Sequence, residues 1–334
     1  MRRFWTLTAP SLVVLVLDGH AAALAQSVDR SYRVLLSKES QFEEELNREA
    51  AAGYRILTGD ASVEFALLEP ATDGTPRTYV FAPNVERFLK EKKLQPGFRL
   101  VATTFSADEY WFSAVFERVQ GDERPREYRL VKAGSVGALR KRLEAGEAGF
   151  GFAALASGAP GAAALYEPRP DARSVRLIAS GNTGNLRQEL QAAGGKGQCV
   201  VDSDGIKEAV YAMEPCPTGD TPRSYEVVAT TKTETLEVEL NAAAARGLRI
   251  VPGSIVGIEK RVALMGSYNY ETVAILDKVA DAAPVTYRVL GTARLSTFEK
   301  ELKTAAAEGF KVTAFTIGPK EVVAVLEQKT AIAK

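Results

Sequence analysis

Few side chains in this 334-residue chain are suited to catalysis. It has one histidine, His20, two cysteines, Cys199 and Cys216, and three methionines. A Ser-His-Asp or Cys-His relay needs a histidine, as does a His-bearing zinc site, so this chemistry hangs on His20 alone. The cysteines are 17 residues apart and lack the Cys-x-x-Cys spacing of a redox pair, which leaves a structural bridge or two unpaired thiols. Carboxylates are plentiful, for example Glu43 with Glu44 or Asp202 with Asp204. A glycosidase needs two of them held across a cleft, and no pair stands out. Asp202-Ser-Asp-Gly opens like a calcium loop but lacks the downstream ligands, so it reads as a turn between two strands. Gly181-Asn-Thr-Gly lacks the Gly-Lys-Ser/Thr ending of a phosphate loop and reads as a turn before a helix. No catalytic, cofactor-binding or metal residue is assigned. Two aromatic groups are candidate binding residues, Tyr110-Trp111-Phe112 and the pair Tyr268 and Tyr270. The alternative for both groups is packing against a neighbouring part of the chain.

The leading segment changes this inventory. Arg2 and Arg3 precede an apolar stretch from Phe4 to Leu17, and Ala23-Leu24-Ala25 has the small residues of a signal-peptidase site. The stretch is shorter than the ~20 residues that span a bilayer, and Asp18 interrupts it. Residues 1–25 therefore read as a signal peptide, and the chain as exported, periplasmic or extracellular. Cleavage after Ala25 would remove His20 and leave 40 basic against 41 acidic residues. That balance argues against a nucleic-acid partner, because phosphate binding needs a basic surplus or face. No transmembrane segment is expected after cleavage.

The elements that must position the candidate residues follow one pattern, written six times. An aromatic-led strand is followed by a helix with a central Leu, a Gly, a second strand and an apolar third strand. The first copy has Tyr32, Leu46 and Gly53, and the last has Tyr287, Leu302 and Gly309, with seven residues from Leu to Gly in both. The other copies start at Tyr79, Tyr128, Val175 and Tyr225. Copy two has lost about one helical turn, and copy five has a longer final hairpin. Phe298, Leu302 and Ala305 or Ala306 form one helical stripe. Ser40 with Glu43, and Ser296 with Glu299, have capping-box spacing, and the Gly supplies a left-handed helix stop. The third strand is apolar on both faces, which predicts a central position and strand order 1-3-2.

The unit boundaries expected are 26–76, 77–125, 126–173, 174–222, 223–283 and 284–334. Pro, Gly and Asp-rich linkers mark them, such as EPATDGTPRTY after copy one and EPCPTGDTPRSY after copy four. The likeness of those two linkers suggests that a three-unit block was duplicated.

The motif resembles small bacterial βαββ domains catalogued only as a domain of unknown function. It is clearest at Tyr32, Leu46-Asn47 and Gly53-Tyr54-Arg55, and at Tyr225, Leu240-Asn241 and Gly247-Leu248-Arg249. The resemblance covers most of the chain and implies no activity.

The expected fold is α+β: tandem βαββ units, each with one helix on a small three-stranded mixed sheet, neighbouring units sharing core. Aligning copy four with copy six sets Cys199 and Cys216 facing each other, which in an oxidising compartment favours a disulfide. The function expected is that of a non-catalytic binding or scaffold protein whose partner is a protein or a cell-envelope component. The alternatives are a small-ligand or glycan binder, and a carboxylate hydrolase with its site between two three-unit halves. A pocket lined by convergent carboxylates with shifted titration would favour the alternatives.

Overall fold

The third strands are where the fold is decided. Phe65-Ala66-Leu67-Leu68 has apolar residues on both faces, and all four side chains are buried. A strand wet on neither face needs a layer on each side. The computed structural model describes residues 31–330 except 61–63, 92–93, 106–111, 147–148, 159–160, 171–172, 206, 218–220, 262–267, 280–282 and 319–320. The signal-peptide reading of residues 1–25 and the candidates Tyr110 and Trp111 lie outside the described residues.

The first segment comprises β1 (Arg33–Leu36), α1 (Glu39–Ala51), β2 (Tyr54–Asp60) and β3 (Phe65–Pro70). The second comprises β4 (Arg77–Ala82), α2 (Val85–Glu91), β5 (Phe98–Phe105) and β6 (Phe112–Val119). The third comprises β7 (Arg129–Ala133), α3 (Val136–Glu144), β8 (Phe150–Gly158) and β9 (Gly161–Pro168). The fourth comprises β10 (Arg176–Ser180), α4 (Thr183–Gly194), β11 (Gln198–Gly205) and β12 (Ala209–Pro215). The fifth comprises β13 (Tyr225–Thr230), α5 (Thr233–Ala245), β14 (Leu248–Ile250), β15 (Val256–Arg261) and β16 (Tyr268–Lys278). The sixth comprises β17 (Val285–Thr292), α6 (Leu295–Ala307), β18 (Lys311–Ile317) and β19 (Val322–Lys329).

The last strand of every segment lies between the other two, as in β1-β3-β2 and β17-β19-β18. The fold is α+β, but the sheets are antiparallel throughout the described pairings, not mixed. The physical reason is that each helix crossover leaves the first and second strands parallel, and the third inserts between them instead of letting them pair. In the fifth segment the second strand is interrupted, and both β14 and β15 pair with the long β16. The shortened helix of the second segment has 7 residues against 13 in α1.

The helices start and stop by different means. The expected capping boxes do not form. The N-caps of α1 and α6 are Lys38 and Arg294, with no side-chain cap bond, so Ser40 and Ser296 lie inside the first turn. Glu43 instead accepts from the Phe81 amide of β4 at 2.8 Å. True side-chain caps occur at Ser135 before α3 and at Asn182 before α4. The glycine after each helix holds a positive φ, as expected. At Gly97 (φ +88°) a Cβ would also lie 1.9 Å from the Asp122 carbonyl oxygen, so no other residue fits there.

Each core belongs to two consecutive segments. Phe42, Leu46 and Ala50 of α1 pack with Ala66 and Leu68 of their own sheet and with Tyr79, Phe81 and Val115 of the next. The same arrangement recurs along the chain, for example with α3 against Leu177 and Val210. The cycle closes: Phe298, Leu302 and Ala305 of α6 pack with Tyr32, Phe65 and Leu67 of the first segment. Phe65 and Phe315 stack at 5.1 Å across that closing seam. This explains the doubly apolar third strands, since one face meets the segment's own helix and the other meets the preceding helix.

Candidate functional site

A ring of six sheets leaves an axis, and the second strands surround it. Equivalent stretches line one cavity of about 780 Å³: Leu57–Asp60, Leu100–Thr104, Ala153–Leu155 with Ser157, Val201–Gly205, Ile255–Gly257 and Val312–Gly318. Every uninterrupted second strand also changes register at one place, between Ile56 and Thr58, Leu100 and Ala102, Phe152 and Ala154, Val200 and Asp202, and Val312 and Ala314. A bulge there leaves a backbone N–H turned out of the ladder.

The leading tyrosine of the following segment takes that N–H. Ile56 donates to the Tyr79 hydroxyl at 3.0 Å, Leu100 to Tyr128 at 2.9 Å, Val200 to Tyr225 at 3.3 Å and Ile250 to Tyr287 at 3.0 Å. Val312 donates to Tyr32 at 2.9 Å, which closes the ring. Burial pushes these phenols up, Tyr287 to about 12, so they stay protonated. The fourth segment begins with Val175, and the seam between the third and fourth segments has no such hydroxyl.

That seam is bridged at a different place, further along β8, by Asp202 and Asp204 of β11. Leu155 donates to Asp202 Oδ2 at 2.7 Å, and the Ser157 amide donates to Asp204 Oδ2. The other oxygens accept from Ser203 at 2.9 Å and Gly205 at 2.8 Å. The two aspartates thus sit on β11 in the cavity wall. The expectation that Asp202-Ser-Asp-Gly forms the turn fails. The bulge at Val201 and the waiting amides of β8 keep the segment extended through Gly205. Both aspartates are only half-buried, yet the packed wall raises their carboxyls, Asp202 to about 7 and Asp204 to about 6. Loss of hydration is the main cause. The amide bonds oppose it, and Asp204 acting on Asp202, and Asp60 acting on Asp204, add to it.

The other candidates divide. Tyr270 lines the cavity and donates to Glu259 Oε1 at 3.0 Å. Tyr268 opens β16 opposite Arg261. Phe112 is 3% exposed and packs with Phe98, Phe116 and Tyr128, as in the packing alternative. Cys199 and Cys216 form a disulfide, with Cα atoms 5.0 Å apart. The bridge ties the start of β11 to the end of β12, outside the cavity lining. Glu43 accepts the Phe81 amide of the next segment and is not among the cavity-lining residues.

The carboxylates Asp60, Asp202 and Asp204 share the lining with hydroxyls such as Thr103, Ser203 and Thr316, and among the described lining residues there is no lysine or arginine. Among the described residues no group of three or more His, Cys, Asp or Glu could hold a metal ion. Sequence reading singled out Tyr270, named Asp202 with Asp204 only as one of many carboxylate pairs, and missed Asp60 and the threonines, which carry no motif. Comparison of the chain with models of protein families and with curated proteins gives no match.

Proposed function

We propose that the protein is a non-catalytic binding protein whose ligand site is the axial cavity. The observation that carries this reading is the cavity itself, lined by all six second strands and about 780 Å³ in volume. Small-molecule sites have volumes of roughly 300–1,000 Å³. Three carboxylates and many hydroxyls, with no basic side chain among the described lining residues, suit a small polar ligand rich in hydrogen-bond donors or positively charged. Convergent carboxylates with raised titration favour ligand binding over a purely scaffolding role. Asp202 and Asp204 each engage amides with both oxygens, which supports fixed acceptors over a mobile acid and base. The site lies on the axis of the whole ring, where a boundary between two halves had been expected.

The reading extends to the origin and location of the chain. The six segments are copies of one βαββ unit akin to the domain the sequence resembles. The chain is exported, which the Cys199–Cys216 bridge supports, because such bridges persist in oxidising compartments. No described helix is long and apolar enough to cross a membrane.

The test is calorimetric titration of the whole chain with spermidine as a cationic probe and with maltotriose as a neutral hydroxylated one. The expected result is saturable binding of one probe that the V201W variant abolishes, since Val201 lines the cavity and is 46% exposed. Binding of neither probe, or binding untouched by V201W, overturns the reading.

A further inference from the structure

We propose that the seam between the third and fourth segments is a proton-controlled joint in the ring, fastened by Asp202 and Asp204 where the other five seams are fastened by a tyrosine hydroxyl. The inference does not depend on what occupies the cavity.

The geometry sets this seam apart. Tyrosine hydroxyls that accept a backbone N–H do not change charge near neutrality. The carboxylates of Asp202 and Asp204, which accept β8 amides further along the strand, do. The two aspartates sit two residues apart on β11, and both reach the amides of β8. From β8 they meet only the amides of Leu155 and Ser157 and the Ser157 hydroxyl. From β12 they are opposed by Ala212 and Val210, and Tyr211 beside them is engaged with the Ser254 carbonyl. From β15, Val256 and Gly257 approach Gly205. The charges acting on the pair are Asp204 on Asp202 and Asp60 of β2 on Asp204, all acidic. Ionisation of the pair therefore adds like charge to this wall.

The sign follows from linkage. A carboxyl with a raised pKa in the closed seam binds its proton more tightly there than in an opened, hydrated seam. Acid therefore favours the closed seam. Its advantage is lost as the pH rises through about 6 and about 7, where Asp204 and Asp202 ionise. The amide bonds favour the ionised carboxyl, but lost hydration outweighs them.

Hydrogen exchange of the whole chain, corrected for the intrinsic pH dependence of amide exchange, tests the joint. The amides of Leu155 and Ser157 should lose about tenfold or more in protection between pH 5 and pH 8, the factor that one unit of differential pKa supplies. The tyrosine-bound amides of Ile56, Leu100, Ile250 and Val312 serve as internal controls and should keep theirs. In Asp202→Asn and Asp204→Asn variants the pH response should shrink, and each asparagine keeps one oxygen that can accept the β8 amide while giving up the second acceptor. Equal protection at both pH values, greater protection at pH 8, or the same loss at the control amides would each overturn the proposal. The unmodified chain alone gives those readouts should a variant fail to fold.

Discussion

A single hydroxyl at the head of a strand fastens one segment to the one before it. Tyr287 is 1% exposed, and its oxygen takes the Ile250 amide at 3.0 Å. The asparagine in Leu240-Asn241 completes the attachment, with Asn241 Nδ2 donating to the Tyr287 carbonyl and Oδ1 accepting from the Tyr287 amide. Asn47 treats Tyr79 in the same way. Removing only the hydroxyl leaves the ring packed but strands a buried amide. Such a donor costs about 1–3 kcal/mol, so Tyr287→Phe should lower unfolding stability by that amount in a urea titration. A loss below a few tenths would mean that the hydroxyl merely fills space. The sequence shows such tyrosines to be buried, because Tyr32 and Tyr287 lead alternating strands. It does not show into which core they go, since the Tyr32 hydroxyl meets Val312, 280 residues away.

Helices and strands turn these residue contacts into seams. On α1 and α5 the residues at i and i+4 face the outer strand of the next sheet, where Glu43 and Asn47 engage β4 and Glu237 and Asn241 engage β17. An outer strand with its backbone groups occupied is a poor template for another chain. The order of strands was legible because the third strand is apolar on both faces. The sheet type was not, because helix crossovers suggest parallel pairing until the inserted strand is seen. The role of Asp202-Ser-Asp-Gly was not legible either. Its composition is that of a turn, and the amides that hold it extended lie 47 residues earlier in the chain. The fourth segment has a cross-link of its own between β11 and β12. Closing a loop of 17 residues is worth about 3 kcal/mol in the chain-entropy account. Replacing both Cys199 and Cys216 by serine should cost roughly that much in thermal or urea unfolding. An unchanged midpoint would show that the strand pairing alone sets this stability.

At the scale of the molecule, the ring treats the chain ends as one more seam. Five seams are crossed by linkers of six to nine residues between successive sheets. The sixth, between β19 and β1, has the same helix packing and the same tyrosine bond without a linker. Equivalent packing places the end of β19 and the start of β1 at a separation that a linker of that length spans elsewhere. A permuted chain follows, with Thr330 joined to Ser31 through nine added residues and new ends between β16 and β17. Permutation is tolerated where ends are close and the cut falls in a linker, and a loop this short adds little closure entropy. The permuted chain should therefore unfold in one transition with an unchanged denaturant slope, because the surface buried is the same. It should also retain the Cys199–Cys216 bridge. A reduced slope, or separate melting of the last segment, would show instead that the chain is a line of segments whose ends merely touch. The distinction bears on the cavity, since an axial cavity walled by six strands requires the ring to stay shut at every seam.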